Sequence, residues 1–274
     1  MSIPLNKALQ LQYQGFLQTP FLWHSSIVEN LQQFDLQCTH VSLLIKEIKR
    51  ETRLGKLVEQ FVFHQLNQDN SIKTLAENIQ IQNGKITLGE IDCLLVKDSK
   101  PIHLEIIYKF YLYDESVGDT EVEHWIGPNR RDSLIEKLTK LKEKQLPLLY
   151  HPLTKPILDE LKLSSDKIKQ QVYFKAQLFV PLQDFGKEFE LINNSCIEGF
   201  YIYEEELEQF SNCKFYIPTK HNWLIKPFTQ IHWLNYNDFK SKLSIFLAEE
   251  NSPLCWVKKP NGEMMKFFVV WWSK

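Results

Sequence analysis

Cysteine is sparse in the sequence and carries no pattern. Cys38, Cys93, Cys196, Cys213 and Cys255 are scattered, odd in number, and form no CxxC pair. That argues against a disulfide framework and against a zinc site, and it fits a reducing cytoplasm. The N-terminus "MSIPLNKALQLQYQGFLQ" has no charged segment followed by an apolar one, and no apolar run approaches the ~20 residues that span a bilayer. Glycine-rich phosphate loops, a GxSxG elbow and an HExxH pair are all missing. A strong net charge is missing too. At −2, any nucleic-acid binding must come from a local basic face rather than a global field. There is no internal repeat and no low-complexity tract. The expectation is a soluble, cytoplasmic protein without a membrane partner.

What is present is a core-forming composition. The 274 residues are 43% hydrophobic, 24% charged and 13% aromatic, enough for one large domain or two modest ones. Residues 1–50 read as helical, with Ile27, Leu31 and Phe34 and then Val41, Leu44, Ile45 and Ile48 as apolar positions. A second helix is expected over 51–66, where Leu54, Leu57, Val58, Phe61 and Val62 share a face. A weak strand over 78–81 and an "NG" turn precede a hairpin. A helix follows over 130–145, with Leu134, Leu138 and Leu141 apolar. From Val172 the pattern becomes β, with "QVYFKAQLFV", "GFYIYEEE", "KFYIP" and "WLIKPF" as short strands and a helix over 238–249. The closing "LCWVKKPNGEMMKFFVVWW" reads as a hairpin turning at Asn261-Gly262. The segment "LYHPLTKPILDELKLSSDK" separates the two regimes. The predicted division is therefore an N-terminal helical segment over 1–50, a core over 51–150 and a β-rich region over 151–274. The pattern supports a mixed α/β class.

The hairpin "GEIDCLLVKDSKPIHLEIIYKF" places a carboxylate near the middle of each strand, Asp92 and Glu105. Side chains alternate faces along a strand, so His103, Glu105, Ile107, Lys109 and Tyr111 share one face of the second. If Val96 faces Pro101 across a four-residue loop, Asp92 stands opposite Glu105. Like charges so placed destabilise a strand pair unless the strand end is well solvated, one group is protonated, or a cation sits between them. Hard oxygens without thiolate or histidine partners suit Mg²⁺ or Mn²⁺. Glu90 shares the face of Asp92, and Glu59 lies on the flank of the preceding helix.

A helix glutamate, then "GEID", then a hairpin into "HLEIIYK" resembles the PD-(D/E)XK nuclease superfamily. The longer run of "RLGKLVEQFVFHQL", "GEID", "HLEIIYKFYL" and "WIGPNRRDSLIEKL" is similar to a bacterial domain-of-unknown-function family placed in that superfamily. The resemblance covers residues 50–140. It implies a restriction-endonuclease-like core, a mixed sheet flanked by helices, here with N-terminal helices and a β-rich C-terminal region. It also implies a hydrolase in which Asp92, Glu105 and Glu59 hold Mg²⁺ or Mn²⁺ and Lys109 completes the catalytic set. The usual motif has its lysine two residues after the glutamate. Here Ile107 fills that slot, and Lys109 starts ~13 Å along the strand from Glu105. Lys137 of the following helix is an alternative source of the cation.

The substrate implied is DNA or RNA. Arg130, Lys137, Lys140 and Lys144 fall on one side of the expected helix, and Arg130 and Arg131 mark its start, where free N–H groups favour phosphate. Asn129 in "WIGPN" is a candidate helix cap. His103 and His124 are weaker site candidates. Trp256, Trp271 and Trp272 suit a β core better than base stacking. Two other classes stay open: an inactive nucleic-acid- or protein-binding module on the same scaffold, and a partner-binding protein that works through its aromatic sheet.

Overall fold

The computed structural model describes residues 5–36 and 53–274. It is a mixed α/β protein built on a nine-stranded mixed sheet. Helix α1 (Leu5–Gln18) and helix α2 (Leu54–Leu66) precede strands β1 (Ile72–Asn83), β2 (Ile86–Lys97), β3 (Lys100–Tyr113) and β4 (Trp125–Ile126). Helices α3 (Leu134–Lys140) and α4 (Lys155–Glu160) lead to β5 (Lys169–Pro181), β6 (Ile197–Tyr203) and β7 (Lys214–Tyr216). Helix α5 (Tyr236–Ala248) and strands β8 (Leu254–Lys258) and β9 (Met264–Val270) close the chain. The strand order is β1-β2-β3-β5-β6-β9-β8-β7, with β4 on β3. β5–β6 and β6–β9 are parallel, while β1–β2, β2–β3, β7–β8 and β8–β9 are antiparallel. Among the described residues no helix is long and apolar enough to cross a membrane.

By contact the chain divides into two units: residues 1–20, 109–134 and 176–274 form one, and 21–108 with 135–175 the other. In the first, an aromatic core gathers around Phe200, Phe215, Phe239 and Phe267, with the rings of Phe215 and Phe239 stacked at 4.2 Å. Helix α1 approaches the turn at Leu224 so closely that a Cβ on Gly15 would fall 1.9 Å from the Leu224 carbonyl oxygen. The predicted closing hairpin is there, but its loop runs over Lys259–Glu263 and only Gly262 takes a positive φ, 89°. "WLIKPF" is not a strand. Trp223 and Leu224 end a 3₁₀ turn, and Pro227 has no N–H to offer a ladder.

The second unit holds β1, β2 and β3 as far as Tyr108. The hairpin register is as expected, with Val96 facing Pro101 and Cys93 facing Leu104. Asp98 and Ser99 make the two-residue turn with φ 49° and 64°, the left-handed pair that matches strand twist. Helix α2 follows its apolar periodicity, burying Leu57, Val58, Phe61, Val62 and Leu66. Ile81, Ile91, Leu94, Leu148, Leu149, Leu158 and Ile168 form a compact core.

Three further expectations need correction. Residues 19–36 are not helical: Ser25, Glu29 and Asn30 take left-handed φ values, and the segment is tied by single bridges from Phe21 to Lys175 and from Gln33 to Val172. Ile27 is left exposed. The helix positions Val41, Leu44, Ile45 and Ile48 lie outside the described residues. The helix expected from Arg130 begins at Leu134. Arg130 takes φ 55° in a turn closed by Gly127 N–H on the Asp132 carbonyl, and a Cβ on Gly127 would meet Asp132 at 1.9 Å. Asn129 does not cap that helix. Its amide donates to Asn251 at 3.1 Å and accepts from the Ser252 N–H at 2.9 Å.

Candidate functional site

The carboxylates of β2 and β3 are buried, Asp92 9% exposed and Glu105 fully enclosed. An ordinary hairpin surface would leave both in water. Asp92 Oδ2 accepts the Ile106 N–H at 2.8 Å. Glu105 uses both oxygens: Oε1 lies 2.9 Å from His103 Nε2, and Oε2 accepts from Gln145 Nε2 at 2.5 Å. His103, itself fully buried, holds its other ring nitrogen 3.0 Å from Gln170, which also donates to the Leu146 carbonyl. Glu105 therefore sits in a polar chain satisfied on both sides, the condition under which a charge tolerates burial.

Electrostatics tie Glu59 to this pair. Burial, then the neighbouring Glu105 charge and Glu59, push the Asp92 carboxyl up to about 8, against the opposing pull of the Ile106 N–H and of Lys137. The Glu59 carboxyl is raised by burial, with Glu90 and Glu105 adding to the effect and Lys56 opposing it. Glu59, Asp92 and Glu105 thus share one field of like charge, the arrangement expected at functional sites.

Lysines answer this charge unequally. Lys56 of α2 reaches Glu59 at 2.7 Å, Glu90 at 2.6 Å and the Asn78 amide oxygen at 3.0 Å. Lys137 of α3 donates to the Gln145 amide oxygen at 2.6 Å and acts on Asp92 through space. Lys109 instead pairs with Asp132 at 2.5 Å. Of the two lysines considered from sequence, Lys137 is the one whose charge acts on Asp92. Arg130 pairs with Asp114 at 2.8 Å and lies over the Trp272 ring, and Arg131 is exposed in the turn before α3. Lys140 is exposed on α3. His124 contacts the Val117 carbonyl at 2.7 Å, a loop anchor. Trp256 is core.

The donor chemistry fits a hard divalent cation. The carboxylates and the Asn78 and Gln145 amide oxygens are hard donors, and burial with Glu105 and Glu59 nearby opposes ionisation of Asp92, an effect a cation would reverse. Asp92, Glu105 and Glu59 are the residues that could hold such an ion. Among the described residues, no group of three or more His, Cys, Asp or Glu is arranged to hold a metal ion. The side chains are instead drawn to Lys56, His103 and Gln145.

A family model described as Domain of unknown function (DUF1853) matches residues 6–270. The chain belongs to the DUF1853 family. The match includes residues of both units, and its description carries no activity. No curated protein and no solved structure matches the chain significantly.

For this DUF1853 chain, sequence reasoning missed Lys56, Asn78, Gln145 and Gln170. Gln145 is eight residues from Lys137, about 80° round an α-helix. The segment Leu141–Gln145 is wound as a π-helix, and its wider turn takes out that offset, bringing Gln145 between Lys137 and Glu105. π-Turns of this kind are often found at functional sites. Asn78 takes φ 52° inside β1, a conformation asparagine tolerates and β-branched residues do not. Neither feature leaves a periodicity signal. The only hint was the polar identity of both residues.

Proposed function

We propose that the protein is a divalent-metal-dependent nuclease of the PD-(D/E)XK kind, hydrolysing phosphodiester bonds in DNA or RNA. The observation that carries this reading is the buried field of like charge shared by Asp92, Glu105 and Glu59. Mg²⁺ or Mn²⁺ bound there would neutralise phosphate charge and lower the pKa of a coordinated water. Asp92 and Glu105 would hold the ion, with Glu59 acting through water. Asp92 must give up its proton from the carboxyl to serve as a ligand, so loading favours alkaline pH. Gln145 fixes the rotamer of Glu105, and Lys137 supplies the positive charge that the superfamily motif assigns to a lysine two residues after the glutamate. Lys140 on α3 is a proposed contact to the nucleic-acid backbone, and Arg130 and Arg131 are, separately, further candidate contacts.

A second reading is a scaffold that binds nucleic acid or protein without metal chemistry. It is favoured by Lys56, which already neutralises Glu59 and Glu90, and by Lys109, which is committed to Asp132. Calorimetric titration of Mn²⁺ and Mg²⁺ into the metal-free protein, with Asp92→Ala beside it, separates the two. Binding that Asp92→Ala abolishes supports the nuclease. No heat at millimolar metal moves the reading to the inactive scaffold.

A further inference from the structure

Four successive main-chain N–H groups of the first unit, from Phe189 to Ile192, belong to no helix or strand, and two side chains serve them all. Asn194 Oδ1 accepts from Phe189 at 2.8 Å, and its amide returns a bond to the Phe189 carbonyl at 2.9 Å. The other three N–H groups converge on one carboxylate from the loop after β3. Glu121 Oε2 accepts from Glu190 at 2.8 Å, while Oε1 accepts from Leu191 at 2.9 Å and from Ile192 at 3.0 Å. A segment held in this way has no ladder or helical repeat through which to share the stability of the sheet.

The inner side of the segment covers aromatic rings. Phe189 packs on Tyr113 at 4.9 Å and on the fully buried Trp125 at 5.0 Å, and Ile192 is buried as well. Lys187 adds a tie at one end, donating to the Tyr113 hydroxyl and to Glu115, each at 3.1 Å. Just before it, Gly186 takes φ 106°, and nothing lies within 4 Å of the place a Cβ would occupy. At the other end Asn193 accepts the Ser195 N–H at 3.0 Å and caps the short turn into β6. The segment thus has a swivel before it and a fixed turn after it.

We propose that residues 187–193 are a lid, latched by Glu121, that opens in one piece about Gly186 while the sheet stays folded, and so uncovers Tyr113 and Trp125. Burial of Phe189 and Ile192 favours closure. The three bonds to Glu121 share one acceptor, so they are made or broken together, and opening is a single step rather than gradual fraying. β6, which follows the lid, is paired on both sides with β5 and β9 and does not move with it. The lid does not depend on the chemistry proposed for Asp92 and Glu105.

Hydrogen exchange resolved along the full-length chain tests this. In the wild type, the N–H groups of residues 190–192 should exchange faster than those of β6 and β9. Glu121→Gln should speed exchange at 190–192 by at least about tenfold and leave β6 and β9 unchanged. Asn194→Ala discriminates, because Asn194 bonds to Phe189 and not to residues 190–192. It should speed exchange at 190–192 as well as at Phe189, as opening in one piece requires. Wild-type exchange at 190–192 as slow as in β6 and β9 overturns the lid without any variant. An unchanged rate in Glu121→Gln, an Asn194→Ala effect confined to Phe189, or variants that speed β6 and β9 by the same factor as the lid each overturn it too.

Discussion

The Asp92 carboxylate accepts the Ile106 N–H at 2.8 Å while sharing its enclosure with the Glu105 carboxylate from the facing strand. One contact stabilises the charged form of Asp92, and the other, together with burial, opposes it more strongly. The carboxyl is held up to about 8, against 3.8 when unfolded. Between those values the folded state binds a proton that the unfolded state does not. Stability from this group is therefore full below pH 4 and is lost as pH rises towards 8. Asp92→Asn, which mimics the protonated form, should be more stable than wild type in the metal-free protein. The gap should widen from pH 5 to pH 8 by on the order of 1–3 kcal/mol and then level off. Urea denaturation at the two pH values measures it. A gap independent of pH would contradict the electrostatic account.

Gln145 is expected to contribute as an intermediary between Lys137 and Glu105. Gln145→Leu removes the donor to a fully buried carboxylate oxygen and should cost about 1–3 kcal/mol. In a double-mutant cycle with Lys137→Met, the coupling should be about 1 kcal/mol, because the two side chains act on Glu105 in series. Additive losses would mean that the π-turn aligns them without functional consequence.

On the nuclease reading, the two candidate lysines differ in a measurable way. Lys109→Met removes an ion pair with Asp132 and should leave hydrolysis of single- and double-stranded DNA and RNA within about twofold of wild type. Lys137→Met should reduce it by at least about tenfold, the scale of losing one positioned charge near the reacting centre. Hydrolysis in Mn²⁺ with each substrate class decides between them. The reverse ranking would return the catalytic cation to the strand.

The hairpin register, the α2 face and the mixed α/β class were legible because each rests on local periodicity and turn chemistry. Asp92 and Glu105 were found because charges are conspicuous in an apolar strand pair. Full burial of Glu105 was not readable, since it depends on His103, Gln145 and Gln170 arriving from β3, the π-turn and β5. Lys56 was hidden for a similar reason. On a helical wheel it is one more solvated lysine, and two of its three partners, Glu90 and Asn78, come from strands far along the chain. The helix start was misplaced because "PNRRD" reads as capping chemistry, whereas Arg130 adopts a left-handed turn. The residues 19–36 were misread because apolar spacing cannot register three left-handed residues.

Lys266 supplies a test away from the candidate site. Its ammonium is enclosed on β9, donating to Gln177 at 2.8 Å and to the Trp223 carbonyl at 2.9 Å, with Glu198 at 3.6 Å. Burial lowers it to about 8 despite the Glu198 charge, against 10.5 when unfolded. From pH 8 to pH 10.5 the unfolded chain keeps a proton that the folded chain has released, so stability should rise with pH across that window. Relative to Lys266→Met, which cannot titrate, wild type should gain on the order of 1–3 kcal/mol between pH 7.5 and pH 10. The comparison with methionine cancels the titration of other groups, which both proteins share. A constant difference between the two would place the proton of Lys266 at its ordinary value and would require water or a closer Glu198 to reach the ammonium.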